Sequence, residues 1–429
     1  MATQRLVIIG AGIGGLATAL ALKASDVDVV IVERDEAPPE IVPEDAFDAW
    51  ARPGVPQFRH AHILLARLQT TIRDHHPQLL RELLDAGLYL STVSEVLPPD
   101  EYAGIEPMPG DADLLHLWGR RATFEYVLRR HVGRLPHVRI VHDARVTGLI
   151  TELRGDAVCV RGVDIKRADR DESIEAEIVV DASGKRSKVP EWLEAKGVRV
   201  EIEKSASGFV YACRHYRLKD PTRSPPRRQG GGNLDYIGYA TFYGEHGHYA
   251  LTFGCPVEET ELVHAIRRPE GFDALCDQLP VLREWTEQSE AADKVLGAGN
   301  FENRWTRHGA KGGRELLGFF AVGDSYLETN PMYGRGCASA FVQAQVLSEV
   351  LKRERDPRQR ARSYRTRIQS LLQPYFDLSV ATDRIYRARA QRKRGETIPV
   401  GDRVLNRVYE NVWLPAVHHR PLLAREFLK

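Results

Sequence analysis

The tightest constraint on this chain is the run Gly10-Ala-Gly12-Ile13-Gly14-Gly15, set directly after the apolar stretch 6–9 and directly before the helical stretch 16–23. An apolar strand that meets closely spaced glycines and then a helix predicts a tight turn. The first glycine permits the turn, the second lets backbone approach a pyrophosphate, and the third lets the helix pack close to the strand. The helix N-terminus then offers unpaired N–H groups to the phosphates. A second apolar stretch, 27–32, ends at Glu33, about 20 residues beyond the turn, where an acid binds a ribose 2′-OH. A carboxylate there predicts an AMP-type ribose without a 2′-phosphate.

The far end of the chain selects among dinucleotides. Residues 319–325 read as a buried strand ending in Gly323 and Asp324, and Asn330-Pro331-Met-Tyr-Gly334-Arg-Gly336-Cys337 as a glycine-rich turn opening a helix. Such an acid accepts hydrogen bonds from ribityl hydroxyls, and a second helix N-terminus faces an isoalloxazine carbonyl. A nicotinamide dinucleotide has no use for this second half-site, so the two motifs together predict FAD.

Sixty Lys+Arg against 59 Asp+Glu leave a net charge of +1, which excludes a nucleic-acid polyelectrolyte. The 429 residues suffice for two or three folding units. Charge is unevenly spread: residues 352–429 carry 19 Lys+Arg against 8 Asp+Glu. The expected reading is a set of solvated helical faces, with weak attraction to an anionic membrane surface as the sharper one. Five scattered cysteines without a CxxC predict small buried residues in a reducing compartment. No leader is visible, so a cytoplasmic location is expected.

The predicted fold class is α/β: a Rossmann-type FAD-binding domain with an inserted antiparallel-sheet substrate domain and C-terminal helices. Stretches 5–24 and 27–33 give strand, helix, strand; 122–135 is helical; 138–150 and 177–181 are strands. The Pro/Gly/Arg-rich segment 221–232 predicts a surface loop. Period-2 alternation over 236–243 and 248–255 around the turn 244–247 predicts a hairpin. A helix over 258–278, a strand over 318–322 and a helix over 336–351 follow. The expected domains are 1–90, 110–190 and 290–350 for FAD, 91–109 and 191–289 for substrate, and 351–429 as helices on the FAD domain.

The fingerprint at Gly10, the segment Val179-Val-Asp181-Ala-Ser-Gly184, and Gly323-Asp324 followed by the 330–336 turn closely resemble the three FAD motifs of the p-hydroxybenzoate hydroxylase-like flavoprotein monooxygenases. The resemblance spans roughly residues 1–350. Gly54-Val-Pro-Gln-Phe-Arg59-His60-Ala-His62-Ile-Leu-Leu resembles the stretch passing over the flavin in the branch of polyether-type and squalene-type epoxidases and FAD-dependent halogenases. This implies Glu33 and Arg34 at the adenosine ribose, Val146 backbone at the adenine, and Arg121 at the ribityl or pyrophosphate region. Arg59 joins the cofactor set, Asp324 the ribityl chain, and Pro331, Gly334 and Gly336 the flavin ring. The implied chemistry is reduced FAD with O2 forming a C4a-hydroperoxide that delivers one oxygen atom. Electrons come from NAD(P)H or from reduced flavin supplied by a partner reductase. The middle motif, Asp181-Ala-Ser-Gly184, departs from the usual Asp-Gly and resembles the branch fed by a reductase. The halogenases' Trp-x-Trp-x-Ile-Pro is absent, which disfavours halogenation.

Strand alternation offers Tyr211, Tyr239, Phe242, Tyr249 and Phe253 as an apolar substrate wall, or equally as a core beneath helices. The wall implies a hydrophobic or aromatic substrate, epoxidised or hydroxylated. Epoxidation needs no protein base, whereas phenol hydroxylation benefits from one; spacing alone names no catalytic residue. His60 and His62 lack a third ligand, so no metal is expected, and no Gly-x-Ser-x-Gly elbow supports a hydrolase. Two other functions fit the same motifs: an FAD-dependent reductase resembling geranylgeranyl reductases, and an FAD-carrying binding protein without turnover.

Overall fold

The computed structural model describes residues 4–22, 27–91, 95, 108–168, 170–220, 231–234, 237–309 and 312–428. Most of the segment 91–109 and of the expected loop 221–232 lies outside the described residues. In chain order the principal strands are β1 (Gln4–Ile9), β2 (Val27–Val32), β3 (Val138–Val141), β4 (Ala144–Arg154), β5 (Ala157–Arg167), β6 (Ile178–Asp181), β7 (Phe209–Leu218), β8 (Ile237–Tyr243), β9 (His248–Pro256) and β10 (Phe319–Ala321). The principal helices are α1 (Ile13–Ala21), α2 (Arg121–Gly133), α3 (Pro269–Gln278), α4 (Pro280–Thr286), α5 (Gly336–Arg353) and α6 (Pro357–Lys393).

Two compact units form. The first holds Met1–Phe58, Glu125–Ser205 and Glu302–Phe376, the second Arg59–Phe124, Ala206–Phe301 and Asp377–Lys429. These bounds differ from the expected ones: 59–90, 110–124 and 290–301 join the second unit, and 191–205 the first. The C-terminal segment divides at residue 376 instead of resting as a whole on the first unit.

The first unit is built on a parallel sheet in the order β10-β6-β1-β2-β3. Its strands are runs such as Leu6-Val7-Ile8-Ile9 and Val179-Val180, buried on both faces, as a parallel sheet requires. Helix α1 is tied to α5 where Ser348 Oγ donates to the Ala21 carbonyl at 2.7 Å. The stretch 138–150 is two strands, not one: Asp143, at φ +53°, ends β3 and starts β4. Strand β4 pairs with β5, which also carries Arg170–Glu175 and Glu315–Leu317, giving a second sheet.

The second unit holds an antiparallel sheet in the order Gly232–Leu234, β8, β9, β7, Ser289–Ala291. The expected hairpin is β8–β9, turning through His246 and Gly247, both at positive φ. The helix expected over 258–278 is broken into Thr260–Ile266 and α3 because Pro269 has no N–H to continue the first. One sheet face packs Tyr216, Tyr249, Leu251 and Phe253 on Phe272, Leu282 and Trp285 from α3 and α4. All five cysteines are buried thiols. Among the described residues no helix is long and apolar enough to cross a membrane.

Candidate functional site

In the first unit the glycine turn is a set of close approaches. Gly10 takes φ +99°, and a Cβ there would meet the Ala182 carbonyl oxygen at 2.8 Å. A Cβ on Gly15 would lie 1.9 Å from the Gly10 oxygen, so Gly15 is the third glycine of the fingerprint, the one that brings helix and strand together. Gly14 faces the Val322 carbonyl at 3.5 Å. Gly12 is different: nothing lies within 4 Å of its Cβ position, and the same is true of Gly336 at the start of α5. Neither α1 nor α5 has a side-chain N-cap. Two helix N-termini with room for close backbone approach thus stand in one unit, and these residues fit a dinucleotide carrying a second ring system.

Glu33, at the end of β2, is buried and joins that strand to the glycine turn. Its Oε2 accepts from Ala11 N–H at 2.9 Å and its Oε1 from Asp35 N–H at 3.0 Å. Arg52 approaches Glu33 at 3.4 Å, Asp35 at 3.0 Å and Glu125 at 3.1 Å, while Arg129 donates to the Ala11 carbonyl at 2.9 Å. Burial by itself would raise the Glu33 pKa; Arg52, the Asp35 N–H and Arg129 outweigh it and hold the carboxyl below its usual 4.5. A carboxylate offers about four acceptor positions, and backbone and Arg52 take three, which leaves one for a ribose hydroxyl. Spacing did not reveal Arg52, Glu125 or Arg129, since they reach Glu33 from distant segments; only the i, i+4 placing of Glu125 and Arg129 on one helix hinted at a shared face.

The other expected cofactor residues fall in distinct places. Arg34 is exposed and donates to the Gly54 carbonyl at 3.0 Å. Val146 lies on β4, paired with Ile165 just before a bulge, and Ala144 N–H bonds the Glu33 carbonyl at 3.0 Å, which sets the start of β4 beside the end of β2. Asp181 is fully buried and spends its oxygens on Ser183 Oγ and Ser187 Oγ, both at 2.6 Å, shaping the turn that carries Gly184 at φ +81°. Half-buried Asp324 follows Gly323 in a short 3₁₀ turn after β10, and Gly334 closes the Pro331–Tyr333 turn at φ +67°.

In the second unit the strand register decides which aromatics share a face. Tyr239 pairs with Phe253 and Tyr243 with Tyr249, so Tyr239, Tyr249 and Phe253 lie on the core side and form no wall; Tyr249 and Phe253 are wholly buried under the helices. The opposite face carries Tyr211, Cys213 and His215 of β7 and Phe242 of β8, following the period-2 alternation. His60 sits on it, its ring 5.4 Å from Tyr211 and its Nδ1 3.5 Å from Cys213 Sγ. Tyr211 stacks on Phe301 at 5.0 Å. His215 Nε2 lies 2.9 Å from the carbonyl of Arg59, whose side chain is exposed.

Arg121 is buried and its Nη1 lies 2.9 Å from His62 Nε2, while His62 Nδ1 lies 2.8 Å from the His60 carbonyl. A guanidinium only donates, so His62 is the Nδ1–H tautomer and accepts at Nε2. Burial and then Arg121 push its pKa down to about 3, and the same causes lower His60. Both imidazoles are neutral near pH 7. Next to them Arg120 holds Glu245 at 2.7 Å, fixing the β8–β9 turn to the start of α2. Among the described residues no group of three or more His, Cys, Asp or Glu is placed to hold a metal.

Two predictions follow from the first unit's geometry. Gly12→Ala keeps the thermal unfolding midpoint of the apoprotein but loses nucleotide binding, whereas Gly15→Ala destabilises the fold by roughly 1–3 kcal/mol; equal behaviour of the two would contradict these roles. Arg52→Met strands Glu33, Asp35 and Glu125 and costs about 3–5 kcal/mol. Because the folded Glu33 pKa is depressed, its stabilisation is complete above 4.5 and is lost as pH falls through the lowered value. Urea melts from pH 7 to pH 3 check this, with Arg52→Met showing the shallower acid loss.

A family model described as an NAD(P)-binding Rossmann-like domain matches residues 8–38. Protein Rv3254 of Mycobacterium tuberculosis is 29% identical over 383 residues, covering 81% of this chain and 72% of that protein. Among solved structures, the myxobacterial chondrochloren halogenase CndH, described as a variant of FAD-dependent halogenases, has a TM-score of 0.64 at 18% identity, covering 98% of this chain and 92% of that one. PqsL from Pseudomonas aeruginosa, described as a probable FAD-dependent monooxygenase, has a TM-score of 0.62 at 15% identity, covering 91% and 98%. The p-nitrophenol 4-monooxygenase PnpA from Pseudomonas putida DLL-E4 has a TM-score of 0.61 at 16% identity, covering 99% and 98%. The parallel sheet, the glycine turn and these likenesses agree: the chain has the α/β fold of the FAD-dependent monooxygenases and halogenases.

Proposed function

We propose that the chain is an FAD-dependent monooxygenase that inserts one oxygen atom into a hydrophobic or aromatic small molecule. The observation that carries this is the pair of uncapped, glycine-opened helices in one unit, α1 at Gly12 and α5 at Gly336. A nicotinamide dinucleotide needs only the first, while a flavin dinucleotide uses both. Gly10, Gly12, Ile13, Gly14 and Gly15 would hold the pyrophosphate, Glu33 and the β4 backbone near Val146 the adenosine end. Asp324, Pro331, Gly334 and Gly336 would hold the ribityl chain and ring. When bound and reduced, the flavin supplies an electrophilic oxygen from O2.

Fully buried Asp181 turns its oxygens inward to Ser183 and Ser187 and offers nothing to a docking nicotinamide, which supports delivery of electrons by a partner reductase. Tyr211, Phe242 and Phe301 supply apolar surface for the substrate. Neutral His60 on the same face is a group that can accept a phenolic proton, and this supports hydroxylation over epoxidation. Halogenation is disfavoured because no two tryptophans stand two residues apart. Exposed Val400, Val404 and Val408 beside Arg403 and Arg407 support weak contact of the basic end with an anionic membrane surface, and a cytoplasmic location belongs to the same reading.

Anaerobic titration of the FAD-loaded protein with NADPH and NADH, followed by a flavin reductase, tests the assignment. The expected result is slow bleaching of the flavin band by either nucleotide and fast bleaching with the reductase. Product mass then shows a gain of one oxygen; a change of two hydrogens would make it a reductase, and no turnover under any donor a binding protein. His60→Gln is expected to lower phenol hydroxylation about a hundredfold or more and to remove the acid limb of its pH profile, with flavin content unchanged.

A further inference from the structure

A cavity of about 390 Å³ opens within the first unit, lined by Gln4 at the start of β1, Cys159 and Val160 of β5, Leu317, Phe320 and Arg360. From Gln4 to Gly10 the strand advances about 20 Å, so the cavity lies at the opposite end of the sheet from the glycine turn. Its size falls in the range of about 300–1,000 Å³ usual for small-molecule sites. The floor is apolar and the rim is cationic, with Arg154, Arg161, Arg355 and Arg358 beside Arg360.

Most of that rim is already neutralised. Arg154 and Arg161 pair with Glu152 at 3.0 and 3.1 Å, and Arg358 pairs with Asp156 at 2.9 Å and with Glu315. The carboxylate at the cavity edge, Glu177, accepts from Arg5 N–H at 2.6 Å. Arg360 is only 7% exposed, and it donates to the Glu354 carbonyl at 2.8 Å and the Leu351 carbonyl at 3.5 Å. Those acceptors carry no net charge, and burial and then a second cation, Arg355, depress its pKa. Among the described residues neither Arg355 nor Arg360 has an ion-pair partner. The start of α6 is separately satisfied, since Asp356 accepts from Gln359 N–H at 2.8 Å, so the unbalanced charge belongs to the guanidinium groups. A buried cation without a counter-charge is costly, and an anion brought from outside relieves it.

We propose that this cavity is a second small-molecule site, separate from the nucleotide cradle, for an amphiphile with an apolar body and one anionic head. The body rests on Cys159, Val160, Leu317 and Phe320, and the head meets Arg360 and Arg355. No bond is made or broken there. Cys159, buried in the wall, serves as a built-in reporter.

The test uses the full chain loaded with FAD and three probes of equal length below their micellar concentrations: dodecanoate, dodecylammonium and dodecanol. Calorimetry is expected to show one dodecanoate per chain, with both other probes at least about tenfold weaker. Dodecanoate should also slow alkylation of Cys159 by N-ethylmaleimide, read by peptide mass. Arg360 also ties two carbonyls, so the charge is reversed at exposed Arg355 instead. Arg355→Glu should weaken dodecanoate at least about tenfold at unchanged flavin content, and Leu317→Trp, which fills the floor, should abolish it. Absence of dodecanoate binding, equal binding of dodecylammonium, or binding retained in Arg355→Glu overturns the assignment; the last would place the fatty acid elsewhere, such as on the Tyr211 face.

Discussion

The carboxylate of Glu33 is the knot on which the first unit's site depends. It sits at the end of β2, yet its oxygens bond the backbone of Ala11, inside the turn after β1, and of Asp35. Two adjacent parallel strands are thereby joined at their carboxyl ends, the place where open α/β sheets bind ligands. The knot holds because Arg52 brings a compensating charge to three buried acids at once. Without that cation, desolvation would favour the protonated acid, and the turn would lose its strongest anchor.

A different constraint governs the second unit. In an antiparallel sheet the side-chain period is two, so the pairing of Tyr239 with Phe253 commits every second residue of both strands to the helix-covered side. Residues of opposite parity, Tyr211, Cys213, His215 and Phe242, form the other face together. The imidazoles beside it are neutral: His62, which holds the Arg121 cation, cannot easily gain a proton, because burial and the guanidinium both oppose it. The result is a face of mixed character, apolar through Tyr211, Phe242 and Phe301, with basic nitrogen at His60.

Much of this was legible in the chain. The glycine turn, α1, β2 and the hairpin follow from local spacing, and the glycine-rich opening of α5 stands where the residues predict it. What escaped was of two kinds. Breaks made by single residues, such as Asp143 at positive φ and Pro269 at a helix start, lie below the resolution of periodicity. Domain bounds escaped because units are defined by contacts between segments far apart in the chain, and α2 and α6 each run through a boundary.

The site divides along the same line. Gly10 and Gly15 are dictated locally, since no other residue can take that turn and admit a helix so close to its strand, while Gly12 leaves open space at the helix N-terminus. Glu33 is placed by the end of its own strand. Arg52, Glu125 and Arg129 could not be read out, because their role rests on Coulomb contact in a dry interior between segments that only folding brings together. Alternation along β7, β8 and β9 separates two faces but does not say which is covered; packing of Phe272, Leu282 and Trp285 decided that. Sequence alone determined the turn and the chemistry it admits, because those are short-range steric facts. Tertiary structure alone decided which charges are balanced and which aromatics are buried, because both depend on what excludes water from the other side.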